Sequence, residues 1–219
     1  MIPTDDFDKI IIVYHYNCLD GTAGAWVLKH YFQHIKKINS SNIFLIGQQP
    51  QCLNLYKYFR KNNIIFNRLN KYQVIFVDIC PTIEIIRKLI TTNIENNFNN
   101  RIEIYDHHET NKNIFIDYRD EIEPYIKYVF DMNKSGCQIA WDNFYDMSRP
   151  LFINYIGEGD LWKFSNKTSK LSYNVLMHNF KNIDKLESLY QLGDDYFTNR
   201  ESQNGFYKTY LKNEVIIDE

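Results

Sequence analysis

The sequence predicts an α/β fold with a mainly parallel five-stranded sheet flanked by helices, followed by a short, mostly helical C-terminal extension. Three observations predict it. Apolar runs of strand length recur at Ile10 to Tyr14, Ile43 to Ile46, Gln73 to Val77, Ile102 to Tyr105 and Ile126 to Phe130. Segments of helical pattern separate most of them, the alternation that builds βαβ units. Several runs are continuously apolar and β-branched rather than alternating, which marks strands buried on both faces.

Each element has a local reason. Ile10-Ile11-Ile12-Val13-Tyr14 is the clearest strand, and Gly21-Thr22-Ala23-Gly24-Ala25-Trp26 opens a helix to about His34, with small residues suited to close packing on the sheet. Gly47-Gln48-Gln49-Pro50 stops the second strand, and Leu53 to Lys61 follows as a helix. Pro81 sits where a first helical turn tolerates proline, and the helix continues from Ile83 to Ile90. Asn93 to Asn100 reads as an asparagine-rich turn before the fourth strand. Ser135-Gly136 caps a helix through Phe144, and Arg149-Pro150 leads into another toward Ile156. Beyond Trp162 the pattern is helical over Leu171 to Phe180, Asp184 to Leu192 and Tyr196 to Leu211. The expected division is a sheet-bearing α/β domain over 1–165 and a helical extension over 166–219.

Composition narrows the function. At 219 residues, 44% hydrophobic and 24% charged, the chain has the balance of an ordinary globular protein. The net charge of −2 and pI near 6.3 argue against a protein that grips long duplex nucleic acid through phosphate contacts. His34-Ile35-Lys36-Lys37 and Lys57-Tyr58-Phe59-Arg60-Lys61 read as solvated helix ends. Cys18, Cys52, Cys80 and Cys137 show no Cys-x-x-Cys spacing and are too sparse for a disulfide framework, which points to a reducing compartment. An acidic N-terminus without a signal-peptide pattern, and no apolar run of membrane length, make the expectation a cytoplasmic protein without a membrane partner. Isolated histidines such as His30, His34 and His178 read as surface or hydrogen-bonded residues.

The chemistry concentrates at strand ends. His15 and Asp20 follow the first strand, Asp78 the third, and Asp106-His107-His108 the fourth; Asp160 comes later in Gly159-Asp160-Leu161-Trp162. In an open α/β sheet, ligands bind outside the carboxyl ends of the strands, so these groups converge on one crevice. Carboxylates and imidazoles together suit a pair of divalent cations, with Asp78, at a central strand end, suited to bridge them.

His15-Tyr16-Asn17-Cys18-Leu19-Asp20-Gly21, Val77-Asp78, Asp106-His107-His108 and Asp160-Leu161-Trp162, in this order over roughly residues 9–165, resemble motifs I to IV of the DHH phosphoesterase superfamily, in particular a compact phosphohydrolase branch. The resemblance implies His15 and Asp78 as ligands of a first metal, and Asp20, Asp78, His107 and Asp160 as ligands of a second. It implies that His108 contacts the phosphoryl group, with Asp106 as its supporting acid, and that the metals are two Mn2+ or Mg2+ ions. Cys18 stands where many members carry an Asp. Either a poorly matched thiolate weakens the first metal, or Cys18 is a small buried residue. No segment after Asp160 resembles the DHHA1 substrate domain. The expected function is metal-dependent hydrolysis of a phosphoester in a nucleotide or short single-stranded oligonucleotide. The alternatives are hydrolysis of a phosphoanhydride (pyrophosphate or polyphosphate) and a catalytically impaired nucleotide-binding module.

Overall fold

A computed structural model describes residues 7–50, 54–67, 69–199, 205 and 207. Strands β1 (Lys9–His15), β2 (Ile43–Gln48), β3 (Tyr72–Val77), β4 (Arg101–Asp106) and β5 (Ile126–Phe130) form one all-parallel sheet in the order β2-β1-β3-β4-β5. The helices are α1 (Leu19–His30), α2 (Leu55–Lys61), α3 (Ile83–Asn96), α4 (Glu109–Asp117), α5 (Arg119–Ile122), α6 (Gly136–Phe144), α7 (Leu151–Asp160), α8 (Lys167–Asn179), α9 (Ile183–Leu192) and α10 (Asp195–Thr198). The α/β class expected from the sequence is therefore present.

The two-sided burial follows from the strand period. In β1, Ile10 and Ile12 face a core shared with α1, α6, α7, α8 and α9, while Ile11 and Val13 face a second core with α2 and α3. Val77 and Tyr105 join the first layer, and Phe76 and Ile104 the second. Helices α8 and α9, from the expected extension, deliver Val175, Leu176, Leu186 and Leu189 into the same cluster as Trp26 and Trp141. No described helix is long and apolar enough to cross a membrane.

Several boundaries differ from the sequence expectation. Strand β2 continues through Gly47 and Gln48, because its pairing with β1 extends to His15. Pro81 lies outside α3, before its N-cap Thr82, and α3 absorbs Asn93 to Asn96. The stripe Ile83, Ile86, Leu89 and Ile90 anchors that helix, and Asn97, in the left-handed region at φ 52°, ends it. The asparagines act as a polar staple: Asn93 Nδ2 donates to Asn100 O at 3.0 Å, and Asn100 Nδ2 donates back to Asn93 Oδ1 at 2.9 Å. Helices α4 and α5 carry no strong apolar period and were not expected; Phe115 and Ile122 anchor them in the second core. Helix α7 runs past Ile156 to Asp160. Leu53, and the segment expected to be helical beyond Thr198, lie largely outside the described residues, as does Cys52.

Candidate metal centre

The chain leaves β1 for one side of the sheet at β2 and returns to the other side at β3. Adjacent connections there diverge and open a crevice at the carboxyl ends of the strands. Register places the expected residues at its floor. Tyr14 pairs with Val77 and Val77 with Tyr105, so the next positions, His15, Asp78 and Asp106, form a row across three strands. Asp78 leaves β3 in the left-handed region at φ 56°, while its N–H still donates to Tyr105 O at 3.0 Å. Aspartate tolerates that conformation better than most residues, and such outliers cluster at ligand sites.

Asp78 lies between two imidazoles. Its Oδ1 is 3.2 Å from His107 Nε2, and its Oδ2 is 3.5 Å from His15 Nδ1. Oδ2 is fully buried with no hydrogen-bond partner. His107 Nε2 is also 3.3 Å from Asp160 Oδ2 and 3.8 Å from Asp20 Oδ2. Donor atoms of His15, Cys18 and Asp78 form one cluster within 4.8 Å, and those of Asp20, His107 and Asp160 form another. The first holds the expected pair His15 and Asp78 with Cys18 added, the second holds three of the four residues expected around the other metal, and the fourth, Asp78, instead clusters with Asp106, His107 and His108. Asp160 reaches the site from the C-terminal end of α7, not from a strand.

Asp20, in the first turn of α1, points across to a different helix. Its Oδ2 accepts the Gly136 N–H at 2.6 Å and its Oδ1 accepts the Cys137 N–H at 3.0 Å. The carboxylate thus sits on the positive N-terminus of α6, whose Ser135 and Gln138 form a capping box. Gly136 is required sterically, since a Cβ there would lie 2.6 Å from Asp78 Cβ and 3.0 Å from Asp20 Oδ2. The N-terminus of α6 is thus occupied by a carboxylate from α1.

Asp106 is completely buried and already engaged. Its Oδ1 accepts the His107 N–H at 2.9 Å and His108 Nδ1–H at 2.7 Å, and Oδ2 accepts Asn111 Nδ2 at 2.7 Å. It therefore orients the two histidines. With Nδ1 held, the half-exposed His108 borders a cleft of about 470 Å³, also lined by Asp78, Thr82, Asn111 and Tyr118. A second cleft of about 370 Å³ lies on the other flank, beside His15, Cys18 and Asp160.

The electrostatics are those of acids confined without enough positive charge. Burial, followed by the charges of Asp78 and Asp160, pushes the Asp20 carboxyl up. Burial and Asp78 do the same to Asp160. For Asp78, burial is outweighed by the His107 hydrogen bond and by the imidazole of His15 beside it, which hold its carboxyl down. For His107, burial is outweighed by Asp78, Asp20 and Asp160, which raise its pKa. Burial and the neighbouring acids push the Cys18 thiol up, so it is a neutral S–H. A cation suits this set: the donors are hard oxygens and imidazoles, and one buried oxygen of Asp78 has no hydrogen bond.

All seven residues singled out from the sequence meet here: His15, Asp20, Asp78, Asp106, His107, His108 and Asp160. Sequence reasoning missed Asn111 and the backbone of Gly136 and Cys137, which only folding brings to their acids. The Ser135-x-x-Gln138 capping pattern marked a helix start, without showing which anion would occupy it. Trp162, two residues after Asp160, is 79% exposed, with its ring edge-on to Phe164.

No family model and no curated protein matches this sequence. A solved structure of an uncharacterized protein from Helicobacter pylori G27 is similar, with a TM-score of 0.65 and 17% identity over 93% of this chain. The match spans 61% of that protein's chain. At this identity, the likeness shows a shared fold.

Proposed function

We propose that this chain is a metal-dependent phosphohydrolase of the DHH phosphoesterase kind, acting on a phosphoester of a nucleotide or short single-stranded oligonucleotide. The observation that carries this reading is Asp78, whose two oxygens face His15 and His107 separately at 3.5 and 3.2 Å. A carboxylate placed so is suited to serve two cations at once. His15 and Asp78 would hold one ion; Asp20, Asp78, His107 and Asp160 would hold the other. Mixed oxygen and imidazole donors favour Mn2+, with Mg2+ second. Bound there, such ions polarise a phosphoryl oxygen and lower the pKa of water.

The protein's own groups supply the rest. Asp106 accepts the His108 Nδ1–H and raises the pKa of the imidazole, which favours the protonated ring whose Nε2–H can donate to a phosphoryl oxygen in the adjoining cleft. The α6 N-terminus neutralises part of the Asp20 charge, so the acids can stand close before any cation arrives. Clefts on both flanks of the cluster give room for substituents on either side of a scissile phosphorus. The near-neutral net charge supports a small substrate.

One observation favours a second reading. Cys18 presents a neutral thiol beside His15 and Asp78, a poor ligand for Mn2+. A nucleotide-binding module with a weakened first metal would have this arrangement. The deciding experiment offers the protein a short oligoribonucleotide, a nucleoside 3′,5′-bisphosphate, pyrophosphate and a chromogenic phosphodiester, with Mn2+, Mg2+ or chelator. Manganese-dependent cleavage of a phosphoester supports the proposal. Orthophosphate release from pyrophosphate alone transfers the assignment to anhydrides. Tight metal binding without turnover transfers it to the binding module.

A further inference from the structure

A second group of metal-ligating side chains lies away from the crevice. Donor atoms of His30, His34 and Glu187 fall within 4.8 Å of one another. His30 ends α1, His34 lies in the π-helical turn Tyr31–Ile35 that continues it, and Glu187 comes from α9. His30 and Asp20 are ten residues apart on one helix, about 15 Å of axial rise, so this cluster shares no ligand with the first. Across this turn the two imidazoles lie tilted against each other, with centroids 4.6 Å apart. Single π-turns are frequent where a helix is reshaped for function.

The supporting contacts are those of a ligand set. His30 is buried, and its Nδ1 is 2.7 Å from Tyr145 Oη. Glu187 Oε2 accepts Trp26 Nε1–H at 2.9 Å, and Oε1 accepts Gln191 Nε2 at 2.9 Å. Each carboxylate oxygen keeps a further lone pair. Burial pushes the His30 pKa down. Against burial, hydrogen bonds from Gln191 and Trp26 together with the two histidines hold the Glu187 carboxyl down. A neutral imidazole and an ionised carboxylate are the forms that bind metal.

We infer that His30, His34 and Glu187 form an accessory Zn2+ site that clamps α9 to the end of α1. Two histidines and a glutamate are a three-ligand zinc set, with water completing four-coordination. Around a tetrahedral ion, two donors about 2.1 Å from the metal stand about 3.4 Å apart, so side chains whose donors lie within 4.8 Å must draw in by up to about 1.4 Å. The exposed His34 and half-buried Glu187 have room to do so. Tyr145 Oη engages His30 Nδ1, which leaves Nε2 as the ring nitrogen open to the ion. The chemistry is structural: the ion would tie the helical segment to the sheet domain through side chains alone.

The test is Zn2+ binding by equilibrium dialysis at pH 7, on the native chain, Asp78→Asn, His34→Gln, the double variant and Tyr145→Phe. Asp78→Asn should keep one zinc equivalent, and that zinc should raise its unfolding temperature. The double variant should lose both effects. On the native chain, His34→Gln should remove one equivalent, and Tyr145→Phe should weaken that equivalent about 10–100-fold. Zinc stoichiometry unchanged by His34→Gln would overturn the site, reducing the cluster to a hydrogen-bonded histidine pair. That result would leave the phosphohydrolase reading untouched, since His34 lies outside the crevice.

Discussion

The backbone N–H of Gly136 donates to the carboxylate of Asp20 at 2.6 Å across 116 positions of sequence. This bond joins the start of α1 to the start of α6 and places Asp20 within 3.8 Å of His107. A helix N-terminus that commonly receives a substrate anion here receives a protein carboxylate. The consequence is a compact set of acids, held apart by backbone donors and ready for cations.

Gly136→Ala should damage the site and the fold together. Its Cβ would meet Asp78 Cβ at 2.6 Å, and both partners are backbone-anchored. We expect a loss of about 1–3 kcal/mol in urea unfolding, with loss of bound Mn2+. Unaltered metal stoichiometry would show that the crevice tolerates displacement.

Asp78→Asn should abolish Mn2+ binding at both positions and all turnover. Asparagine also accepts the left-handed backbone at φ 56°, so the variant should fold. Without metal it should be less stable than the native chain, because the contacts with His107 and His15 that hold the Asp78 carboxyl down are weakened. Elemental analysis and thermal unfolding in chelator check both parts. Asp78→Ala should bind no metal either, at an added backbone cost of about 1–2 kcal/mol.

His108→Gln should reduce turnover on the order of 10²–10³-fold while leaving bound Mn2+ intact. The reason is geometric: His108 is tied to Asp106 and faces the cleft, whereas His107 faces Asp20, Asp78 and Asp160. Loss of metal in this variant would mean that the two histidines exchange roles.

Cys18→Asp should strengthen Mn2+ binding beside His15 and lower stability in chelator. It replaces a neutral thiol with a fourth acid close to Asp78 and Asp20. Titration of Mn2+ with thermal unfolding in parallel measures the two effects. Tighter metal with new or greater turnover would identify Cys18 as the impairment.

A pH prediction comes from the opposite end of α6. Asp142 accepts Arg149 Nε at 2.7 Å, makes a second contact with Arg149 Nη2, and lies 2.9 Å from Lys134 Nζ. Burial raises its carboxyl, but these cations outweigh it and hold the pKa below the ordinary 3.8. Its stabilisation is therefore complete above pH 3.8 and lost as pH falls through the lower, folded value. Asp142→Asn should cost about 1 kcal/mol at pH 7. Its deficit relative to the native chain should shrink below pH 4, as followed by urea unfolding at each pH.

Much of this site was legible because its residues sit at strand ends. Ile10 to Tyr14, Gln73 to Val77 and Ile102 to Tyr105 announce buried strands by composition alone. In a parallel sheet, the residues after such strands emerge on one edge. His15, Asp78 and Asp106-His107-His108 could thus be brought together without coordinates. Asp160 was legible only through the resemblance of its motif, since nothing local shows that a helix end will reach the crevice. Helices α4 and α5 were silent because they bury little and carry no clear period.

The sequence by itself determined the class of the fold, the order of its strands along the chain, and the chemical inventory of acids and imidazoles. Those depend on local spacing, which hydrophobic periodicity records. The tertiary structure alone decided the strand order across the sheet, the turning of Asp106 toward Asn111, the seating of Asp20 on α6, and the meeting of Glu187 with His30 and His34. Each of these joins groups from separate elements. Their pairing rests on the packing of elements against one another, and no local pattern encodes it.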